Sequence, residues 1–126
     1  MKIALTLLAA VVLGTTARNC GNKPAEDKLY KARLEIQGIC MNYTFSMLEG
    51  TTDTSLVTPE WTDETTGKKY TNAFGLANPC DFPKTLKVGD EFYFRLDTTR
   101  KEDCIVCMAY YPTPPKKIGL KVMEEK

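Results

Sequence analysis

The chain has 126 residues and room for one domain. It carries 17 basic and 16 acidic residues and no histidine at all. Near-zero net charge with scattered signs gives no electrostatic footprint for DNA, RNA or an anionic membrane. The absence of histidine removes Ser-His and Cys-His nucleophile pairs, His-ligated zinc and the usual general base.

In chain order, Met1-Lys2 is a short positive start. Ile3 to Gly14 is an uncharged apolar run too short to span a bilayer comfortably, and Thr15-Thr16-Ala17 supplies small residues at a cleavage site. That is the plan of a secretory signal peptide over residues 1–17, and with it removed no transmembrane span is expected. Residues 18–28 (RNCGNKPAEDK) read as a polar leader or tether. Cys20 within it is a lipidation candidate, because an apolar run, a cysteine and a flexible linker is the layout of a bacterial lipoprotein. A lipidation box places small residues directly before the cysteine, whereas Arg18 and Asn19 stand here. Plain cleavage after Ala17 is the alternative. Either way the expected location is secreted, periplasmic or lipid-anchored at the cell surface.

A single β domain is expected over residues 29–126. In YKARLEIQ, Ala32, Leu34 and Ile36 alternate with charged residues, the period of a half-buried strand. After Gly38 the parity flips, and Ile39, Met41, Tyr43, Phe45 and Met47 share a face. A flip at glycine suggests a bulge bending one long strand, with a second strand as the alternative. Residues 49–60 read as a polar loop, Trp61 as the start of a short strand, and TDETTGKKY as a turn at Gly67. Tyr70, Asn72, Phe74 and Leu76 then share a face; NPCDFP and KTLKVGD are turns; EFYFRLD is a strand with Phe92, Phe94 and Leu96 on one side. TTRKED reads as a charged turn. CIVCMAYY is apolar enough to be a strand covered on both sides, PTPPKK breaks it, and IGLKVM is the last strand. ICMNY at 39–43 echoes VCMAY at 106–110, as two neighbouring strands with similar packing would, and chance accounts for the echo equally well. No helical periodicity appears after the leader. The expected class is all-β, a small barrel (OB-like) or a sandwich of about six or seven strands, stabilised by disulfides.

The run NPCDFPKTLKVGDEFYFRL, residues 78–96, resembles the cadence of OB-like barrels. Its order of cysteine, leucine, glycine and aromatic strand is similar to that of the netrin-like domains of secreted inhibitors. The N-terminal cysteine pattern that defines those inhibitors is absent, so no inhibitory residue carries over. The whole is similar to small secreted or lipid-anchored bacterial β-domains.

Five cysteines are present: Cys20, Cys40, Cys80, Cys104 and Cys107. Lipidation of Cys20 would leave four for two disulfides, the default in an oxidising compartment. Ile105 and Val106 favour an extended chain, which sets Cys104 and Cys107 roughly 10 Å apart at about 3.3 Å per residue. A disulfide tolerates about 4.4–6.8 Å between Cα atoms. Distant pairing is therefore preferred, Cys40 with Cys107 and Cys80 with Cys104. The opposite reading makes C-x-x-C a thiol redox or copper(I) site, with Met108 and Met41 as soft ligands. No zinc set is present, since Cys40 and Cys80 stand far apart in sequence. Glu49, Asp53, Glu60, Asp63 and Glu64 fit no calcium loop and read as solvated.

No catalytic residue, metal site or cofactor is expected. Asn42-Tyr43-Thr44 is an N-glycosylation sequon, with Asn42 on the polar face of its strand. Trp61, Tyr70, Tyr93, Tyr110 and Tyr111 are candidates for an aromatic surface that binds a protein, peptide or glycan. The alternative is that they close the ends of the fold. The functional expectation is a non-catalytic, secreted or surface-anchored binding or structural module.

Overall fold

The structure is a computed structural model and describes residues 28–99 and 106–123. The leader, Cys20 and Cys104 lie outside the described residues, as does most of the TTRKED turn. Among the described residues there are seven strands: β1 Tyr30–Gln37, β2 Tyr43–Glu49, β3 Thr58–Thr62, β4 Lys69–Leu76, β5 Glu91–Leu96, β6 Lys117–Ile118 and β7 Leu120–Met123. The fold is all-β. The sheet runs β3-β4-β2-β1-β5-β7, with β6 paired to β4. No helix of the described residues is long and apolar enough to cross a membrane.

Alternation in the sequence decides which face of each strand is covered. In β1, Tyr30, Ala32 and Leu34 are buried, while Lys31 and Arg33 lie on the other face. There Lys31 Nζ and Arg33 Nη2 meet the Glu91 carboxylate of β5 at 3.3 and 3.0 Å. The inner face carries an aromatic core. Phe45 stacks on Phe74 at 5.2 Å between ring centres and meets the rings of Phe82 and Phe92 at 5.4 and 5.7 Å. Phe45, Phe74, Phe94, Leu34, Leu120 and Val57 are fully buried. Each such side chain stabilises the fold by about 1.5–3 kcal/mol relative to leaving it exposed.

β1 and β2 are two antiparallel strands, not one bent strand. The reversal is a 3-10 turn at Ile39–Met41, in which Cys40 and Met41 take φ of 57° and 61°. Two successive left-handed residues turn the chain back where a bulge would only have kinked it. Ile39 is therefore exposed, and only Tyr43, Phe45 and Met47 of the expected face enter the core. Strand β3 starts at Thr58, inside the stretch expected to be loop.

The sheet is not closed into a barrel by a full-length strand. It curls, and the C-terminal segment touches both sides. β6 pairs with β4 over Gly75–Lys117 and Leu76–Ile118, and β7 pairs with β5 from Leu96–Leu120 to Tyr93–Met123. Asn78 completes the junction. Its Nδ2 donates to Leu120 O at 2.9 Å, and its Oδ1 accepts from Leu120 N at 2.8 Å. A buried side-chain amide thus stands in for one rung of backbone pairing. At Gly119, between β6 and β7, a Cβ would collide with the Asp97 carbonyl, so only glycine fits.

The largest departure from expectation is CIVCMAYY. Its described part, from Val106 on, is not a strand, and Cys107 to Tyr110 are exposed. Residues 106–116 form an irregular strap. Its Pro112 and Pro114 are buried, and Gly75 lies close enough that a Cβ there would touch Thr113, Pro114 and Lys117. The strap covers the outer side of β2 and β4. Thr44, paired with Gly75, is buried there, and Ser46 on the same face of β2 is buried too, donating to Glu35 Oε2.

Candidate functional site

The strap is the one described surface where exposed apolar side chains and covalent restraint coincide. Cys40 is joined to Cys107 by a disulfide, with Cα atoms 5.0 Å apart. Asn42 sits in the turn after Met41 rather than on a strand, and its Nδ2 donates to Ile39 O at 2.8 Å and to Ala109 O at 2.9 Å. The two echoing pentapeptides are therefore neighbours, bridged by cysteine to cysteine and asparagine to backbone, although they pair as turn and loop. Both hydrogens of the Asn42 amide are engaged in the folded chain. The sequon's third residue, Thr44, is fully buried with its Oγ1 lacking any hydrogen-bond partner.

Further along, Tyr111 reaches the β3–β4 hairpin. Its hydroxyl donates to Asp63 Oδ2 at 3.0 Å and lies 2.9 Å from Thr65 Oγ1. Asp63 is 1 % exposed, so it is not one of the solvated carboxylates it was expected to join. Thr65 donates to Asp63 Oδ1 twice, from its backbone nitrogen at 2.9 Å and its hydroxyl at 2.7 Å. Burial pushes the Asp63 carboxyl up. The hydrogen bonds from Thr65, Tyr111 and Thr66 together outweigh that and hold it below the usual carboxylate range. The Tyr111 ring packs against Gly38, where a Cβ would stand 3.0 Å from its Cγ and 2.5 Å from Asn42 O. Glycine is needed there for close approach.

With its two ends fastened, the strap presents Met108 at 95 % exposure and Tyr110 at 77 %, near the disulfide-linked turn that exposes Ile39 at 58 %. The Tyr110 hydroxyl makes a long 3.4 Å contact to Glu64 Oε1 of the hairpin. An open cleft of about 920 Å³ runs beneath, lined by Met41, Leu76, Pro79, Val106, Met108 and Tyr110 among others. Thr99 and Val106, which flank residues 100–105, also line it.

The five aromatic candidates thus separate. Tyr110 is exposed, and Tyr111 is half-buried as a fastener. Tyr70 is buried, contrary to expectation, with Trp61 half-buried at 6.0 Å from its ring. Burial raises the Tyr70 hydroxyl pKa, helped by the charges of Glu35 and Asp63 nearby. Tyr93 is half-buried on the outer face of β5, under the Lys31 ammonium at 5.4 Å.

Cys80 is disulfide-bonded, in the turn Pro79–Asp81. Its expected partner Cys104 lies outside the described residues. Because the Cys107 sulfur is bonded to Cys40, it is no thiolate ligand in this state. Among the described residues, no group of three His, Cys, Asp or Glu side chains is placed to hold a metal ion. Thr65 and Asn78 were not singled out from sequence, Asp63 was read only as a solvated carboxylate, and Thr44 only as part of the sequon. Of these, only D-x-T at 63–65 carried a local signal, that of an Asx turn.

No protein-family model matches this chain, and no curated protein or solved structure matches it either.

Proposed function

We propose that this chain is a non-catalytic, secreted or surface-anchored binding module whose recognition surface is the tip of the strap, Met108 and Tyr110 with Ile39 beside them. One observation carries the reading. A thioether and a phenol project almost fully into solvent from a loop that a disulfide and the Asn42 amide hold in place. Free loops with such side chains would lose conformational entropy on binding, whereas a tied one has already lost it. Exposed apolar side chains grouped on a rigid support are the usual mark of an interaction surface. The signal-like residues 1–17 and the disulfide both support a site of action outside the reducing cytosol.

A protein or peptide is the favoured ligand class over a glycan. The projecting groups are a thioether, a phenol and an aliphatic chain, which pair best with apolar surface. The test compares wild-type protein with a Met108→Ser/Tyr110→Ser variant on arrays of extracellular proteins, peptides and glycans. Loss of a protein or peptide ligand by about tenfold or more is expected, the effect of removing hot-spot side chains, with unchanged thermal unfolding. Binding that survives both substitutions, or binding to glycans alone, refutes this assignment.

A further inference from the structure

We propose that the Cys40–Cys107 disulfide is a releasable clasp: an external dithiol opens it while the sheet stays folded, and the strap then lifts from the outer face of β2 and β4. Thiol exchange at this bond needs access, a reason for the bond to open, and a fold that survives its loss. All three are present.

Access comes from position. Cys107 is exposed and Cys40 half-buried, so an attacking thiolate can reach Cys107 Sγ without disturbing the core. The drive to open comes from the turn. Cys40 and Met41 hold φ of 57° and 61°, a region that L-residues with a Cβ occupy at a cost. Exposed disulfides tied to strained segments are the labile ones. Survival follows from the core. None of the strap residues 106–116 belongs to the buried cluster built on Phe45, Phe74, Phe92 and Phe94. Beneath the strap lies instead the Thr44 hydroxyl, buried and unpaired, which would regain water when the strap leaves.

The chemistry balances. One thiolate of the dithiol attacks Cys107 Sγ, the Cys40–Cys107 bond breaks, and Cys40 departs as a thiolate that takes up a proton. The second thiol of the reagent then attacks the mixed disulfide, frees Cys107 as a thiolate that is protonated in turn, and leaves as a cyclic disulfide. Two electrons pass from the dithiol to the protein. The natural reductant would be a protein dithiol with a low first pKa. Among the described residues, the strap's other fastenings are hydrogen bonds, from Asn42 to Ala109 O and from Tyr111 to Asp63. They would reseat the strap for reoxidation. This clasp extends the proposed binding role but does not depend on it.

The test titrates the native protein with dithiothreitol, alkylates at each step, and follows labelled cysteines and backbone hydrogen exchange in the same samples by mass spectrometry. Cys40 and Cys107 should be labelled while β1 and β5 remain protected. In parallel limited digests, chymotrypsin should cut between Tyr110 and Tyr111 roughly tenfold faster after reduction, as expected when one local unit opens. Tyr111→Phe, which removes the Asp63 fastening and leaves the sulfurs untouched, should lower the dithiol concentration needed for half-opening several-fold. The proposal is overturned if Cys40 and Cys107 are labelled only together with loss of protection across β1 and β5. It is equally overturned if Cys80 is labelled first, if cleavage between Tyr110 and Tyr111 does not change on reduction, or if Tyr111→Phe leaves the midpoint where it was.

Discussion

Asp63 shows how much one side chain can organise. It lies in the β3–β4 hairpin, buried, and its two carboxylate oxygens collect hydrogen bonds from Thr65 and from Tyr111 on the strap. Its pKa in the folded chain is depressed, so its contribution to stability is complete above the unfolded carboxylate range. That contribution is lost as pH falls through the lower, folded value. Glu91 shifts the same way, through its hydrogen bonds to Arg33 and Lys31, but in the open. Asp63→Asn should therefore lower the melting temperature at neutral pH and flatten its decline between about pH 5 and pH 2. Melting curves of both proteins across that interval check it. Parallel curves would mean that other carboxyl groups carry the acid dependence. Thr44 makes a smaller point at the same scale. Its buried hydroxyl has no partner, so Thr44→Val should be neutral or stabilising by about 1 kcal/mol in chemical denaturation.

At the level of elements, local pattern and tertiary restraint divide the chain unevenly. β1 and β5 were legible from alternation because each turns one face to the core, and so were the inward Ile118 and Leu120, but the single last strand expected there is split at Gly119 into β6 and β7. The turn at Ile39–Met41 was not. A parity flip after glycine has the same appearance whether the chain kinks or reverses, and left-handed φ at Cys40 and Met41 goes against residue preference. The run at 106–111 reads as a strand because β-branched and aromatic residues favour extended backbone. In the structure its described part is a loop, with Cys107 and Ala109 tied to the Ile39–Met41 turn and its neighbour Asn42 rather than to a strand. Asn78 is a tertiary device of the same kind. Asn78→Ala would leave Leu120 N and O without these partners, and each buried group so orphaned costs about 1–3 kcal/mol. Urea unfolding should show the midpoint falling accordingly. Hydrogen exchange should rise first in β7.

Across the whole molecule, the curled sheet encloses one aromatic core and wears the strap as a partial second layer. Phe45 is the hub of that core, in contact with rings from β4, β5 and the 79–82 turn. Phe45→Ala should cost about 3–5 kcal/mol in equilibrium unfolding, enough to threaten a small domain of ordinary stability. A cost under about 1 kcal/mol would mean the core is packed some other way.

The amino-acid sequence on its own determined the all-β class, the inward residues of the main strands and the expectation of cross-links. Alternation, turn residues and cysteine content are local properties that survive without knowledge of neighbours. Only the tertiary structure decided that Tyr110 projects while Tyr70 is buried, that Asp63 is a buried fastener and that 106–116 is a strap. Those outcomes depend on which distant segments come to lie side by side. That choice is made by long-range pairing and packing of the whole sheet, and no short window of residues contains it.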